Sequence, residues 1–321
     1  MVDEPLIEQL DRIIDAIVAR DDATAALRDP DLAALAKLAG DLRDYPGRGF
    51  TDRLRQQLQR RTAVTTTISS AVAYAARPGF TAVTPYVWVP DRRFADFLIR
   101  VFDAVETSVG EIPGHGTHRE LRIGSSMLMI GERGAHPAAP ARPTTFHVFV
   151  DQVDHVFAKA IAAGAKSFGE PADRPYGERS GFVEDPNGNH WYIATALGPG
   201  SFAHSLRTVT PYLHALDVAA YIAFLQRAFG AVQEELHESS PGIVPYARVR
   251  IGDAAIELGT REPRPSAYFL YVADADAMYE RALSAGATSL APPADRPGGD
   301  RIGFVQDPVG NHWYIARPGG V

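Results

Sequence analysis

The chain has 321 residues, 45% of them hydrophobic, with a formal net charge of -7 and no cysteine. The absence of cysteine excludes disulfides and thiolate chemistry, and the acidic balance argues against a nucleic-acid-binding surface. No apolar run approaches the roughly 20 residues that span a bilayer, and the acidic start MVDEPLIEQLD differs from a secretory signal. These features predict a cytoplasmic protein without membrane contact, built of two domains or of one domain and an appendage.

The first 62 residues predict an N-terminal helical segment. Apolar residues recur at helical spacing in 4–20, and further helical stretches cover 30–42 and 50–61. Because this segment has few large apolar side chains, we expect it to pack on the later domains or to mediate association. A regulatory or partner-binding role is the alternative. Residues 63–80, rich in Thr, Ser and Ala, are predicted to form a linker.

From residue 80 onward, a strand, a helix and three further strands recur four times. The four starting stretches are TPYVWVPD at 84–91, TTFHVFVDQVD at 144–154, TPYLHALD at 210–217 and AYFLYVADADAMYERALSAGA at 267–287. Short runs of β-branched and aromatic residues bounded by Gly, Pro and Asn follow each helical stretch. The sequence therefore predicts four βαβββ modules, arranged as one domain over 81–198 and a second over 207–318.

The clearest repeat is a hairpin. DRPYGERSGFVEDPNGNHWYIA at 173–194 returns as DRPGGDRIGFVQDPVGNHWYIA at 295–316, with 17 of 22 positions identical. The Pro, Asn and Gly between the two strand-like runs supply turn geometry. We interpret His190 and His312 as structural hydrogen-bonding residues of this hairpin, and Trp191 and Trp313 as core residues.

The repeat resembles a known family. TPYLHALDVAAYIAFLQRAFGA, YARVRIGDAAIELG and the ending Asp-Pro-x-Gly-Asn-His-Trp resemble the PhnB-like branch of the glyoxalase/bleomycin-resistance family, in the vicinal oxygen chelate superfamily. The resemblance implies an α+β fold of paired βαβββ modules whose sheets curve round a cavity. The family includes metal-dependent lyases, isomerases and dioxygenases as well as metal-free drug-binding proteins. The resemblance also implies that the two domains of one chain form an intramolecular pseudo-dimer. Whether two chains further associate as a homodimer stays open.

The resemblance also indicates where the family's metal ligands would lie, on the first and last strands of each module. The first-strand positions hold Thr84, Thr145, Thr210 and Ala267, and the last-strand positions hold Met129, Tyr192, Glu257 and Tyr314. Only Glu257 is a good ligand type, and a lone carboxylate does not hold a divalent ion well. We therefore predict no standard metal site and no cofactor, while a divalent metal on atypical residues stays an alternative.

Strand alternation predicts which side chains face the cavities. In the first domain this set is Thr84, Tyr86, Trp88, His118, Glu120, Arg122, Met129, Thr145, His147, Phe149, His190 and Tyr192. In the second domain it is Thr210, Tyr212, His214, Tyr246, Arg248, Glu257, Phe269, Tyr271, His312 and Tyr314. Aromatic walls with a few polar groups are typical of small-molecule pockets.

Polar residues of these sets are candidates for metal binding, acid–base catalysis or substrate binding. In the first domain His118, Glu120, His147 and His190 could form an atypical metal site or an acid–base pair, and Glu257 with His214 is the corresponding pair in the second. Arg122 and Arg248 could bind an anionic substrate, or could be solvated residues at the edges of the sheets. Trp88 is replaced by His214 at the matching position, so the cavities have diverged, and one is expected to bind ligand while the other serves as scaffold.

Two functions follow. The first is a protein that binds a small organic ligand without the family's metal site, because the constellation needed for catalysis is incomplete. The alternative is a lyase, isomerase or dioxygenase that acts on a small oxygenated metabolite through an atypical metal or His/Glu acid–base site.

Overall fold

The structure is a computed structural model, and it describes residues 72–112, 116–132, 142–198 and 206–319. These residues belong to one compact unit, Ala71–Val321. The predicted helical segment 1–62 lies outside the described residues, as does the first half of the predicted linker, 63–71. Within the described part of the chain, no helix combines the length and the apolar character needed to cross a membrane.

The predicted βαβββ module is present four times. Module one comprises β1 (Val83–Val89), α1 (Arg93–Phe102), β2 (Val105–Ile112), β3 (Gly116–Ile123) and β4 (Ser126–Glu132). Module two comprises β5 (Thr145–Phe149), α2 (Val153–Ala162), β6 (Lys166–Arg174), β7 (Glu178–Glu184) and β8 (His190–Ala196). Module three comprises β9 (Val209–Ala215), α3 (Val218–Phe229), β10 (Val232–His237), β11 (Tyr246–Ile251) and β12 (Ala254–Thr260). Module four comprises β13 (Ala267–Tyr271), α4 (Ala275–Ala285), β14 (Thr288–Asp295), β15 (Arg301–Gln306) and β16 (His312–Arg317).

The modules pair across the two halves of the chain. The first sheet has the order β14-β15-β16-β13-β1-β4-β3-β2 and joins modules one and four; the second, β10-β11-β12-β9-β5-β8-β7-β6, joins modules two and three. At the junctions Thr84 faces Phe269 and His147 faces Thr210 across antiparallel pairs. The sequence interpretation, which put modules one and two round one cavity and three and four round the other, is wrong on this point. The first strands of all four modules share one alternating pattern, and that pattern does not specify which two strands pair.

The hydrophobic cores, in contrast, follow the order of the sequence. Helices α1 and α2 share a core that surrounds Trp191, where the ring centroid of Phe146 lies 4.4 Å from that of Trp191. Helices α3 and α4 share a second core round Trp313, with Phe229 at 4.5 Å. Both tryptophans are fully buried, which confirms their predicted core role. Each half of the chain therefore has its own helical core, while each concave sheet face is built from both halves.

The repeated hairpin is organised by a buried aspartate. Asp185 accepts hydrogen bonds from the backbone N–H of Asn187 at 2.8 Å and of Asn189 at 3.0 Å, and from Trp191 Nε1 at 2.9 Å. Asp307 makes the same contacts with Val309, Asn311 and Trp313. Burial raises the pKa of both aspartates. One carboxylate therefore closes the turn and orients the core tryptophan, which explains why the motif occurs twice.

Candidate functional site

The concave face of the first sheet is filled by aromatic side chains. The ring centroids of Tyr86 and Trp88 are 4.5 Å apart, those of Phe269 and Tyr314 are 5.0 Å apart, and Trp88 Nε1 donates to the Tyr314 hydroxyl at 2.9 Å. A methyl group on Gly131 would lie 2.2 Å from the Trp88 ring, so the indole occupies space that only a glycine leaves free. This face is a packed cluster.

The concave face of the second sheet contains an open cavity of about 480 Å³. Strands of modules two and three and their adjoining turns supply its walls. The lining residues are His147, Tyr176, Glu178, Ser180, Tyr192, Tyr212, His237, Pro245 and Tyr246.

Three substitutions at equivalent positions distinguish the two faces. Equivalence follows from the register: Trp88 faces Gly131 as His214 faces Gly259, and Tyr86 faces Met129 as Tyr212 faces Glu257. The open face thus has His214, Glu257 and His147 where the filled face has Trp88, Met129 and Phe269. Smaller and more polar side chains leave the second face open. The predicted divergence at positions 88 and 214 therefore coincides with a difference in shape.

A buried ion pair lies at the inner wall of the cavity. His147 Nδ1 is 3.0 Å from Glu257 Oε2, and His147 Nε2 is 3.5 Å from Glu178 Oε2. Glu257 and Glu178 are 0% and 1% exposed. Burial alone would lower the pKa of His147, but the charge of Glu257 and hydrogen bonds to both carboxylates raise it to about 10. The imidazole is therefore a cation at neutral pH, held between two carboxylates.

Tyrosines surround this pair. Burial together with the charge of Glu257 raises the pKa of both Tyr246 and Tyr212. The Tyr212 hydroxyl donates to the Pro245 carbonyl at 3.1 Å. Tyr192 stacks on Phe182 at 4.5 Å, and Phe149 lies against the His147 ring at 4.3 Å. The tyrosine hydroxyl groups stay neutral. The tyrosine side chains therefore present ring faces and uncharged hydrogen-bonding groups to the cavity.

The predicted partner of Glu257 was His214, but the structure pairs Glu257 with His147. His214 is buried, and its Nδ1 has no hydrogen-bond partner within the described residues. Burial and the charges of Arg261, His190 and Arg264 lower the pKa of His214 to about 4. The pairing was mispredicted because it crosses between modules two and three.

The proposed grouping of His118, Glu120, His147 and His190 is also not observed. His118 and Glu120 belong to the first sheet, where His118 Nε2 lies 3.5 Å from Glu120 and Arg77 donates to Glu120 at 2.8 Å. Although burial opposes ionisation, hydrogen bonds from His118 and Arg77 lower the pKa of Glu120. His147 lies in the second sheet, as does His190, whose Nε2 contacts Arg264 and Glu184 instead.

The remaining predicted ligand-binding residues are occupied elsewhere. Arg248 is buried and its Nε donates to Glu234 at 2.9 Å, with Glu235 as a second partner. Arg122 is exposed and donates to the Gly124 carbonyl at 3.1 Å. On the filled face, the Tyr271 hydroxyl contacts Met129 Sδ at 3.9 Å. Neither arginine faces the open cavity as a free cation, so an anion-binding role for Arg122 and Arg248 has no support in these contacts.

Sequence reasoning missed Glu178 and Tyr176, which line the cavity. Both lie in the repeated stretch that was interpreted as a hairpin. Strand alternation along β7 contains the signal, since Glu178 and Ser180 share one face while Arg179 and Gly181 share the other. Arg261 and Arg264 were also missed, because they lie in the loop between β12 and β13, where alternation gives no direction.

The side chains do not fit the family's metal. The second sheet offers Thr145, Tyr192, Thr210 and Glu257 at the ligand positions, and the first offers none with a charged or imidazole group. Glu257 is committed to His147, whose two ring nitrogens both face carboxylates. In the described ranges, no three His, Asp or Glu side chains are grouped so as to hold a metal ion. A protonated imidazole has no lone pair to offer a metal.

A model of the glyoxalase/bleomycin resistance protein/dioxygenase superfamily matches residues 91–193 and again 213–315. The chain belongs to this superfamily. The first matched range begins in the loop before α1 and ends in β8, and the second begins in β9 and ends in β16. Each range therefore spans two modules. The expected family is therefore confirmed in both halves of the chain.

The chain is also similar to individual proteins. The uncharacterised protein Mb0911c of Mycobacterium bovis is 34% identical over 125 residues, which is 35% of this chain and 81% of that protein. Glyoxalase I from Zea mays is 16% identical with a TM-score of 0.54, covering 73% of this chain and 92% of its own. A PhnB protein from Bacillus cereus is 16% identical with a TM-score of 0.30, over 35% of this chain and 98% of its own.

Proposed function

We propose that this superfamily member binds a small organic molecule in the open cavity of the second sheet, without the superfamily's standard metal site. The observation that carries the proposal is the contrast between the two concave faces. One encloses about 480 Å³ next to a buried ion pair, and the other is filled by Trp88 and its aromatic neighbours. A volume of this size lies in the range of about 300–1,000 Å³ typical of small-molecule sites.

The walls favour a ligand with a flat apolar body and a few polar groups. Tyr176, Tyr192, Tyr212 and Tyr246 present ring faces, on which an aromatic ring can stack. Glu178 and the His147 imidazolium supply an acceptor and a positive charge at the inner wall. The first sheet provides scaffold in this proposal.

An acid–base enzyme is the second candidate, supported by one specific observation. Glu178 and protonated His147 lie side by side on the cavity wall, 3.5 Å apart, so a base and a cationic donor face the same space. A ligand oxygen that displaced Glu178 from His147 Nε2 would meet a charged hydrogen-bond donor. Turnover of a cavity ligand, lost in Glu178→Gln while binding persists, would favour this candidate over simple binding.

The binding proposal can be tested with a fragment library and a variant that fills the cavity. His214→Trp places an indole where Trp88 lies in the filled face, with Gly259 opposite in place of Gly131. We expect fragments that raise the melting temperature of the wild type to have no effect on His214→Trp. Arg122→Gln, which changes an exposed residue of the first sheet, is the control and should respond as the wild type does. Equal responses of wild type and His214→Trp would contradict the proposal.

A further inference from the structure

We propose that the cavity's ligand carries an anionic group, a carboxylate or a phosphate, which binds to Arg261 and Arg264 at the Tyr192 side of the cavity. The inference rests on the proposed function and names the chemical class of its ligand. It assigns a role to two residues that neither the hairpin motif nor the strand pattern indicates. We call Arg261 and Arg264 the rim arginines.

Arg264 is held in place without a neutralising anion. Its Nη2 donates to the Gly188 carbonyl at 2.6 Å, and its Nη1 lies 2.7 Å from His190 Nε2. Its Nε is buried and has no hydrogen-bond partner within the described ranges. None of these contacts is with a carboxylate, so no direct ion pair neutralises the positive charge of the guanidinium next to the cavity wall.

Arg261 adds a second positive charge. It is exposed, and its Nη1 donates to the hydroxyl of Tyr192, a lining residue, at 3.4 Å. Within the described part of the chain this side chain has no carboxylate in a salt bridge. Arg179, Arg248 and Arg301, by comparison, each contact two carboxylates. Arg261 and Arg264, whose charges both act on Tyr192, therefore place two guanidinium groups without a salt bridge to any described residue at the Tyr192 side of the cavity.

The field of the rim arginines acts on neighbouring groups. After burial, the charge of Arg261 is the largest cause that lowers the pKa of His214 to about 4, with His190 and Arg264 adding to it. Glu184 and Asp185 are the nearby carboxylates that attract Arg264. Glu184 also contacts His190 at 3.3 Å and Lys166 at 3.5 Å, and Asp185 accepts a hydrogen bond from Trp191 Nε1 at 2.9 Å. Neither carboxylate forms a salt bridge with Arg261 or Arg264, and their salt bridges and hydrogen bonds are with other residues.

The opposite wall fixes the orientation of the ligand. Glu178 and Glu257 lie at the inner wall with His147 as their shared cation, so this group has a net negative charge that would repel an anion. The anionic group is therefore expected at the rim, with the body of the ligand along Tyr192 and Tyr212. A carboxylate or phosphate can accept two parallel hydrogen bonds from a guanidinium, which makes arginine suited to this contact.

The repeat supplies a matched control. Arg142 contacts His312 Nε2 at 2.8 Å and the Gly310 carbonyl at 3.3 Å, as Arg264 contacts His190 and Gly188. This second clamp belongs to the hairpin of the filled face. Removing Arg142 therefore tests the loss of a hairpin clamp separately from the loss of charge at the open cavity.

The experiment compares three probes of similar shape by isothermal titration calorimetry: benzoate, neutral benzamide and cationic benzylamine. We expect the wild type to bind benzoate about tenfold more tightly than benzamide, from one charge-assisted contact. Arg261→Gln and Arg264→Gln should each remove most of this preference, while Arg142→Gln keeps it. Added salt should weaken benzoate binding and leave benzamide unaffected, because the Arg261 charge is exposed.

Arg261 is exposed, so Arg261→Gln tests the inference even where Arg264→Gln disturbs the hairpin. Benzamide or benzylamine binding as tightly as benzoate would overturn the inference and leave the proposed function intact. The same conclusion follows if Arg142→Gln loses the preference as strongly as Arg261→Gln does. Failure of all three probes and of the whole fragment library would overturn both.

Discussion

His147 on β5 and Glu257 on β12 form a buried ion pair with 3.0 Å between Nδ1 and Oε2, although 110 residues separate them in the sequence. The pair joins module two to module three, and it lies where the filled face has Phe269 and Met129. A cation supplied by the protein thus lies beside the single carboxylate that the superfamily's ligand positions retain. The open cavity is built round this contact.

The pair can be dissected by a double-mutant cycle. Glu257→Met leaves the His147 imidazolium with Glu178 alone, and His147→Phe leaves both buried carboxylates without their cation. We expect each variant to lower the free energy of unfolding by about 3–5 kcal/mol. The double variant His147→Phe/Glu257→Met copies Phe269 and Met129 but leaves Glu178 without its cation, and it is expected to lose less than the sum of the two single losses. Urea unfolding measures all four proteins. Additive losses would show that the two side chains are not coupled.

The charge of His147 predicts how stability depends on pH. Its pKa is raised to about 10 in the folded chain, from about 6.5 in an unfolded one. The folded state therefore holds the proton more tightly, so this contribution is complete below about pH 6.5 and is lost as pH rises through 10. Between pH 7 and 9 the free energy of unfolding should fall by about 1.4 kcal/mol per pH unit.

The control for this measurement is the His147→Phe/Glu257→Met variant, in which the titrating imidazole is absent. Its unfolding free energy should change much less over the same pH range. A wild-type free energy that stays constant or rises from pH 7 to pH 9, relative to the variant, would show that His147 is not a buried cation.

The packing of the filled face makes a prediction about two glycines. Gly131→Ala would place a methyl group 2.2 Å from the Trp88 ring, and we expect a loss of about 1–3 kcal/mol together with a shift in tryptophan fluorescence. At the equivalent Gly259, the methyl group would meet the Tyr212 hydroxyl at 2.7 Å and the Pro245 carbonyl oxygen at 3.1 Å, which are less severe contacts than those with the indole. Gly259→Ala should therefore cost less. Equal losses in thermal unfolding would contradict the proposed difference between the two faces.

Tyr221 extends the buried network of the second hairpin. Its hydroxyl donates to Asp307 Oδ2 at 2.7 Å and accepts from Asn311 Nδ2 at 2.9 Å, all in the core. Tyr221→Phe removes a hydrogen bond to a buried carboxylate, and we expect a loss of about 1–3 kcal/mol in urea unfolding. Tyr176→Phe, at an exposed position, should change the free energy by no more than about 0.5 kcal/mol. A neutral Tyr221→Phe variant would show that the hydroxyl contributes nothing.

Much of the fold could be predicted because it depends on interactions between residues that are close in the sequence. The aspartate, glycine and tryptophan of the hairpin act within a few residues of one another, and the βαβββ pattern follows from short strand and helix periodicities. The pairing of modules could not be predicted in this way. It depends on β1 meeting β13 and β5 meeting β9, and these strands present similar alternating patterns to any partner.

The candidate site, like the fold, could be predicted where it depends on local strand patterns and not where it depends on the pairing of modules. Alternation placed His147, Tyr192, Tyr212, Tyr246 and Glu257 on concave faces, and the structure brings these residues together. It assigned His147 to a different cavity from Glu257, because that assignment required the module pairing. The ion pairs of Arg248 and the unpaired state of Arg261 depend on side-chain contacts across strands and loops, which a strand pattern does not contain.

Crystals soaked with the fragment library can show whether only one of the two concave faces takes a ligand. We predict electron density for bound fragments between Tyr192, Tyr212 and Glu178, and none between Tyr86, Trp88 and Tyr314. Fragments bound equally in both faces, or only against Trp88, would contradict the account.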